Sequence, residues 1–219
     1  MKKLDLKPDK DKEGLKVGIT AAGKKYSVRD DRSRYFFPEE WKKFIQEIKP
    51  DKQIIYESLL QTGARIDELL HLKPTDIDFE RFSLTLRVTK KRAKLKERIG
   101  KKRTFVISEE FAKKLKKHIS KNKITDDDLI FPVGQKAVYL MMKRALVRAG
   151  IKDYYNFSLH NIRKTTGNWL KALGVSAEEI CLRLGHDFNT YLKHYGSATL
   201  FDRVDRIEMI KILGRIYER

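Results

Sequence analysis

Cysteine is all but missing from this chain: Cys181 is the only one among 219 residues. A single thiol cannot close an internal disulfide, so the fold must rest on packing, and a reducing cytosol is the expected compartment. Long apolar runs are missing too; none approaches the ~20 residues of a membrane-spanning helix. The opening Met1-Lys2-Lys3-Leu4-Asp5 is not followed by the apolar core of a secretory signal. No internal repeat is visible. No cluster of acidic residues suits a metal-dependent nuclease. Acids are in deficit overall, 30 against 49 basic residues, which leaves a net charge of +19. That excess points to a polyanionic partner, although ribosomal and membrane-surface proteins share it.

What is present is enough for one sizeable core: 41% of the residues are hydrophobic, too many for a disordered chain. Charged residues reach 36% against about 25% in ordinary domains. With the richness in Lys and Glu, this hints at a thermophilic source. Residues 1–35 are highly charged and read as an extension, with a short strand or hairpin around Val17 to Val28, turning near Gly23. The regular pattern begins at Pro38. Proline needs no donor in a helix first turn, and Glu39 and Glu40 complement the dipole. Trp41, Phe44, Ile45 and Ile48 recur at helical spacing, and Pro50 ends that helix. A second helix runs to Gly63 and a third starts near Arg65.

The period then changes. Leu84, Leu86 and Val88 alternate with Thr85 and Arg87 as in a half-buried strand, and Arg103 to Ile107 reads as its partner. Between them Lys90 to Arg103 carries nine basic residues and one acid, Glu97. Ser108 can cap a helix bearing Phe111, Leu115 and Ile119. Another runs from about Gln135 to Ala149, and Ser158 opens one that ends at Gly174. Ser176 and Glu179 form a capping box for the next. A last amphipathic stretch spans Thr199 to Ile216, with Leu200, Val204, Ile207, Ile210 and Leu213 on one stripe. The expected fold is mainly α with a small antiparallel sheet.

Four segments carry chemistry: Thr62-Gly63-Ala64-Arg65-Ile66-Asp67-Glu68-Leu69, Leu159-His160-Asn161-Ile162-Arg163, Leu184-Gly185-His186 and His194-Tyr195. Taken singly, each has an ordinary explanation: a surface ion pair for Arg65, a helix histidine for His160, a cap for His186, a packed ring for Tyr195. Their joint order and spacing resemble the tyrosine recombinase family, which includes phage integrases and Xer recombinases. Arg65 matches the first arginine of the family, His160 and Arg163 the His-x-x-Arg box, and His186 the Leu-Gly-His box. Tyr195, nine residues after His186, matches the nucleophile. The resemblance covers about residues 36–215 and implies a tyrosine recombinase catalytic domain over residues 36–219.

The chemistry explains these residue types. A phosphodiester under attack gathers charge on its non-bridging oxygens, and Arg65 and Arg163 can meet them bidentately while staying charged. His160 and Arg163, three apart, share a helix face. Free tyrosine titrates near 10, so Tyr195 must lose its proton during attack, with His160 as acceptor. In the resemblance the leaving 5′ hydroxyl takes a proton from a lysine at the strand turn. Lys90 is the choice, with Lys91, Lys94 and Lys96 as rivals. His186 would bond or orient the phosphate. The ester passes from DNA to Tyr195, so no cofactor, ATP or metal is required.

The expected function is therefore site-specific DNA recombination or integration for a mobile element, archaeal or otherwise thermophilic. The partner is double-stranded DNA in the cytoplasm, at the nucleoid, with a homo-oligomer assembled on it. A type IB topoisomerase-like strand transferase and a non-catalytic DNA-binding relic are the alternatives. Tyr191 is a rival nucleophile at the wrong spacing. The segment Asp187 to Tyr191 lacks the usual Ser/Thr-rich run, which leaves cleavage in cis or in trans open. Residues 1–35 are too few for the helical core-binding domain that precedes the catalytic one in typical members. The chain is expected to be a fragment or a small single-domain member.

Overall fold

The computed structural model describes residues 34–87, 102–195 and 201–214, together with the backbone of 16–19 and 25–28. The two early strands, β1 (Lys16–Ile19) and β2 (Lys25–Val28), pair antiparallel with Ile19 opposite Lys25. The expected hairpin is therefore formed.

Helix α1 (Pro38–Gln46) starts at the proline, and Glu40 accepts the Phe37 N–H at 3.0 Å. Its Trp41 and Phe44 are buried. The helix stops at Gln46, short of Pro50, and that proline instead opens α2 (Pro50–Thr62). Proline is tolerated in a first turn because its missing N–H would have no helical partner there. Helix α2 runs through the interior, with Ile54, Ile55, Tyr56, Leu59 and Leu60 buried. Gly63, in the left-handed region at φ +59°, ends it. The short α3 (Ile66–Leu70) follows.

A three-stranded antiparallel sheet comes next: β3 (Ile77–Asp78), β4 (Ser83–Arg87) and β5 (Lys102–Val106) in that order. Leu84 and Leu86 point into the core, as their alternation predicts, and Thr85 bonds Thr104 across the strands at 2.8 Å. The register sets Leu86 opposite Arg103 and Leu84 opposite Phe105. Directly opposed residues share a face, so Arg103 is carried onto the inner side of the sheet. The loop that joins β4 to β5, residues 88–101, lies outside the described residues, and with it Lys90, Lys91, Lys94 and Lys96.

Five helices follow the sheet among the described residues before the last one: α4 (Glu109–Lys121), α5 (Gln135–Arg148), α6 (Leu159–Ala172), α7 (Ala177–Leu184) and α8 (Phe188–Tyr195). Ser108 and Ser176 cap α4 and α7 through their hydroxyls. Ser158 is the N-cap of α6, as expected, and the Asn161 side chain accepts both its N–H and its hydroxyl. Helix α6 packs beside α2 and is buried along nearly its whole length. The segment before α1 is laced along it. Thr165 accepts the Phe36 N–H, Trp169 donates to the Phe36 carbonyl, and Asn161 donates to the Arg34 carbonyl.

A last helix, α9 (Arg203–Leu213), packs on α1. Its buried side carries Met209 and Leu213, whereas Val204 and Ile207 are exposed. The expected single stripe is thus split: Leu213 joins the core and Val204 and Ile207 face solvent, while Leu200 lies outside the described residues. Among the described residues no helix is long and apolar enough to cross a membrane.

Candidate active site

The left-handed turn at Gly63 positions the first arginine. A Cβ there would stand 2.4 Å from Leu184 Cδ2 and 3.3 Å from Thr166 Cγ2, so both its φ and its surroundings demand glycine. Two residues on, Arg65 caps α3. Its backbone N–H donates to Glu68 Oε2 at 2.9 Å and its side-chain Nη1 to Glu68 Oε1 at 2.8 Å. The side chain is 32% exposed, while that of Glu68 is 1% exposed.

His160 and Arg163 leave α6 one turn apart, yet their surroundings differ. His160 opens to the surface, beside a cleft lined by Arg65, Gln135, Lys136 and Tyr139. Arg163 is buried. Its Nη1 donates to the Gly63 carbonyl at 2.6 Å and its Nη2 to the Leu184 carbonyl. One guanidinium therefore ties the turn before Arg65 to the turn before His186. Its buried Nε has no hydrogen-bond partner among the described residues.

Gly185, left-handed at φ +59°, ends α7 and turns the chain into His186. The His186 N–H is bonded to the Cys181 carbonyl, and its buried Nδ1 has no partner among the described residues. The His186 ring stacks near Tyr195, with centroids 6.1 Å apart and planes 20° apart. Tyr195 ends α8, a helix absent from the expected elements, which Asp187 caps by accepting the Thr190 N–H. The Tyr195 side chain is buried, and Lys171 Nζ donates to its carbonyl at 2.5 Å. Tyr191 is also buried, its ring 5.7 Å from that of Tyr195.

These groups perturb one another. Burial pushes the Tyr195 phenol up to about 12, opposed by Arg163 and Arg65, so the ring is neutral at pH 7. Partial desolvation at the mouth of the cleft and the Arg163, Lys164 and Arg65 cations bring His160 down to about 4. Burial, Arg163 and Arg65 bring His186 down to about 3. Both imidazoles are therefore neutral at pH 7 and free to accept a proton or hydrogen bond. Burial, then Arg65, lowers Arg163 to about 9, which still leaves a cation. Tyr191 is raised by burial and by Cys181.

Five of the six expected residues thus come together: Arg65, His160, Arg163, His186 and Tyr195. Lys90 lies outside the described residues. Among the described residues no group of three or more His, Cys, Asp or Glu could hold a metal ion. Sequence reasoning passed over three contributors. Glu68 was read only as a possible surface partner of Arg65; the pair forms, but with the carboxylate buried. Arg103 donates Nη2 and Nη1 to Glu68 at 2.6 and 3.2 Å, and nothing in a run of nine basic residues singles it out. Gly167 lies under the Tyr195 ring, and a glycine inside a strongly periodic helix was the available clue.

The phage integrase family model matches residues 34–199, most of the chain. The chain belongs to that family. Tyrosine recombinase XerA of Pyrococcus furiosus is 27% identical over 190 residues, covering 81% of this chain and 62% of the relative. The chain therefore spans less than two thirds of that protein's length. In fold it is similar to the Tn1549 transposon integrase solved with transposon right end DNA. There the TM-score is 0.61 and identity 21%, over 83% of this chain and 67% of the other. It is also similar to the catalytic domain of bacteriophage HP1 integrase, with a TM-score of 0.55 and 21% identity, over 73% of this chain and 85% of that domain.

Proposed function

We propose that this chain cuts and rejoins double-stranded DNA as a site-specific recombinase or integrase, holding the cut strand as a 3′-phosphotyrosyl ester on Tyr195. One observation carries the reading: the Tyr195 ring stacks 6.1 Å from that of His186 and rests on Gly167 of α6, the helix that carries His160 and Arg163. A phosphate bound by those residues would lie beside that phenol.

In this mechanism Arg65 offers the guanidinium edge that Glu68 leaves open. Arg163, whose two terminal nitrogens already hold backbone carbonyls, offers its remaining N–H groups. Each stabilises charge that grows on the non-bridging oxygens. As Tyr195 Oη attacks phosphorus, its proton passes to neutral His160, and the P–O5′ bond breaks. The leaving oxygen takes a proton from the β4–β5 loop, with Lys90 as the assigned donor. His186 steadies the phosphate. One phosphoester replaces another, so the step needs no ATP and no metal. Tyr195 is buried in the free chain, so α8 must shift for the phenol to meet DNA. The exposed Val204 and Ile207 of α9 suit contact between copies assembled on DNA, with residues 1–35 as an extension to the catalytic domain.

The test is incubation with a nicked suicide duplex, with and without excess EDTA. An SDS-resistant protein–DNA adduct in both is expected. No adduct, with DNA still bound, would favour the non-catalytic relic. A strict magnesium requirement would sink the metal-independent chemistry. Relaxation of supercoils without joining of paired sites would favour the topoisomerase-like alternative.

A further inference from the structure

The buried carboxylate of Glu68 poses an electrostatic problem. It lies next to Arg65, whose positive charge the proposed chemistry needs for phosphate. Left alone with that arginine, a desolvated carboxylate would draw the guanidinium into a paired fork, the preferred geometry of such ions. It would then cancel the charge that should meet DNA. In this structure the Arg65 side chain gives Glu68 a single hydrogen bond, from Nη1. Among the described residues the carboxylate is occupied chiefly by Arg103, through Nη2 at 2.6 Å and Nη1 at 3.2 Å, with the Arg65 backbone N–H at 2.9 Å as a further donor. Burial opposes ionisation of Glu68, but Arg103 first and Arg65 second outweigh it and hold the carboxyl below its ordinary range.

Arg103 is fixed for this task. Its side chain is 9% exposed, and β5 delivers it opposite Leu86 on the inner face of the sheet. Its Nε donates to the Arg183 carbonyl at 3.1 Å, in the last turn of α7. Its Cδ and Nη1 lie so close to Gly185 that a Cβ there would stand 2.9 and 2.8 Å from them. The one side chain therefore touches the acid beside Arg65 and the turn that leads into His186.

We infer that Arg103 is a positioning residue. It neutralises and orients Glu68 so that the Arg65 guanidinium stays available to the scissile phosphate, and it braces the Gly185 turn that presents His186. The inference rests on the strand-transfer reading above and adds to it a counter-cation whose work is to keep Glu68 from capturing Arg65.

A double-mutant cycle tests it on the full chain, with single-turnover adduct formation on a suicide duplex, DNA affinity and thermal unfolding as readouts. Arg103→Met should cut the cleavage rate ten-fold or more, with affinity changed by no more than about three-fold. Adding Glu68→Gln to Arg103→Met removes the charge that captures Arg65, and should restore at least part of the lost rate. Coupling of that sign between two neighbouring sites is what a cycle isolates. A merely structural Arg103 gives additive or deeper loss in the double variant, and that result overturns the inference. So does an Arg103→Met protein that cleaves normally. If Arg103→Met fails to fold, Arg103→Gln removes the charge while keeping hydrogen-bonding groups, and the same rescue by Glu68→Gln is required of it. An unaltered chain that forms no adduct would instead overturn the strand-transfer reading itself.

Discussion

The ring of Tyr195 lies on the backbone of Gly167: a Cβ built at that glycine would stand 2.5 Å from Tyr195 Cε1 and 2.6 Å from Cζ. The proposed nucleophile is seated by the absence of a side chain on the helix that carries His160 and Arg163. Gly167→Ala then sets two effects against each other. Alanine favours the helix by about 1 kcal/mol, while overpacking costs about 1–3 kcal/mol. Net stability should fall by no more than roughly 2 kcal/mol, yet Tyr195 must leave its seat. Adduct formation should drop far more than the melting temperature suggests, which thermal unfolding and single-turnover cleavage on one preparation will check.

Arg163 is expected to matter more for cleavage than for affinity. Charge on phosphate oxygens grows in the transition state, so a fixed cation helps most there. Loss of one such donor costs about 3 kcal/mol in barrier, a factor of 10²–10³. Because Arg163 also bonds the Gly63 and Leu184 carbonyls, Arg163→Lys is the cleaner variant: the charge remains and only one carbonyl need be lost. Cleavage should fall steeply and duplex affinity little. Equal losses in both would contradict the role.

The pH dependence carries a sign. His160 and His186 titrate near 4 and 3 in the folded chain, below the ordinary histidine value of 6.5. Between those values the unfolded chain binds more protons than the folded one. Stability is therefore fully present above pH 6.5 and declines as pH falls toward 4. Cleavage at subsaturating DNA reports free-enzyme groups. Its acid limb should lie well below 6.5, since His160 must be neutral to take the phenol proton. A rate that halves at pH 6.5 would argue against His160 as the acceptor.

Affinity for DNA should be steeply salt-dependent. The excess of basic residues favours phosphate contacts, which release counterions and carry little sequence information. Raising salt from 50 to 200 mM should weaken binding by orders of magnitude if about six or more phosphates are contacted. Neutralising Lys94, Lys96 and Lys101 should flatten that slope, and replacing Lys90 should slow cleavage instead. Tight, salt-insensitive binding in competition with random duplex would contradict this.

Much of the fold was legible because local signals and tertiary packing agreed. Pro38 with its acids, the Gly63 cap, the Leu84–Leu86 alternation and the Ser108 cap each marked an element the structure contains. Helix α8 was missed because its start depends on the Asp187 side chain, with no apolar repeat long enough to announce it. The α9 stripe was misjudged because periodicity does not say which turn of a helix meets a neighbour. In the candidate site, Arg65, His160, Arg163, His186 and Tyr195 were found through joint order, which none carries singly. Arg103 was invisible for a different reason. Its role comes from a cross-strand register opposite Leu86, and a sequence does not display that register.

The most direct test of the central claim compares Tyr195→Phe with Tyr191→Phe on a nicked suicide duplex. Both rings are buried and their centroids lie 5.7 Å apart, so either change perturbs the same corner of the fold. The account predicts that Tyr195→Phe abolishes the SDS-resistant adduct while duplex binding stays nearly intact, and that Tyr191→Phe still forms it. An adduct that survives in Tyr195→Phe and disappears in Tyr191→Phe would contradict it.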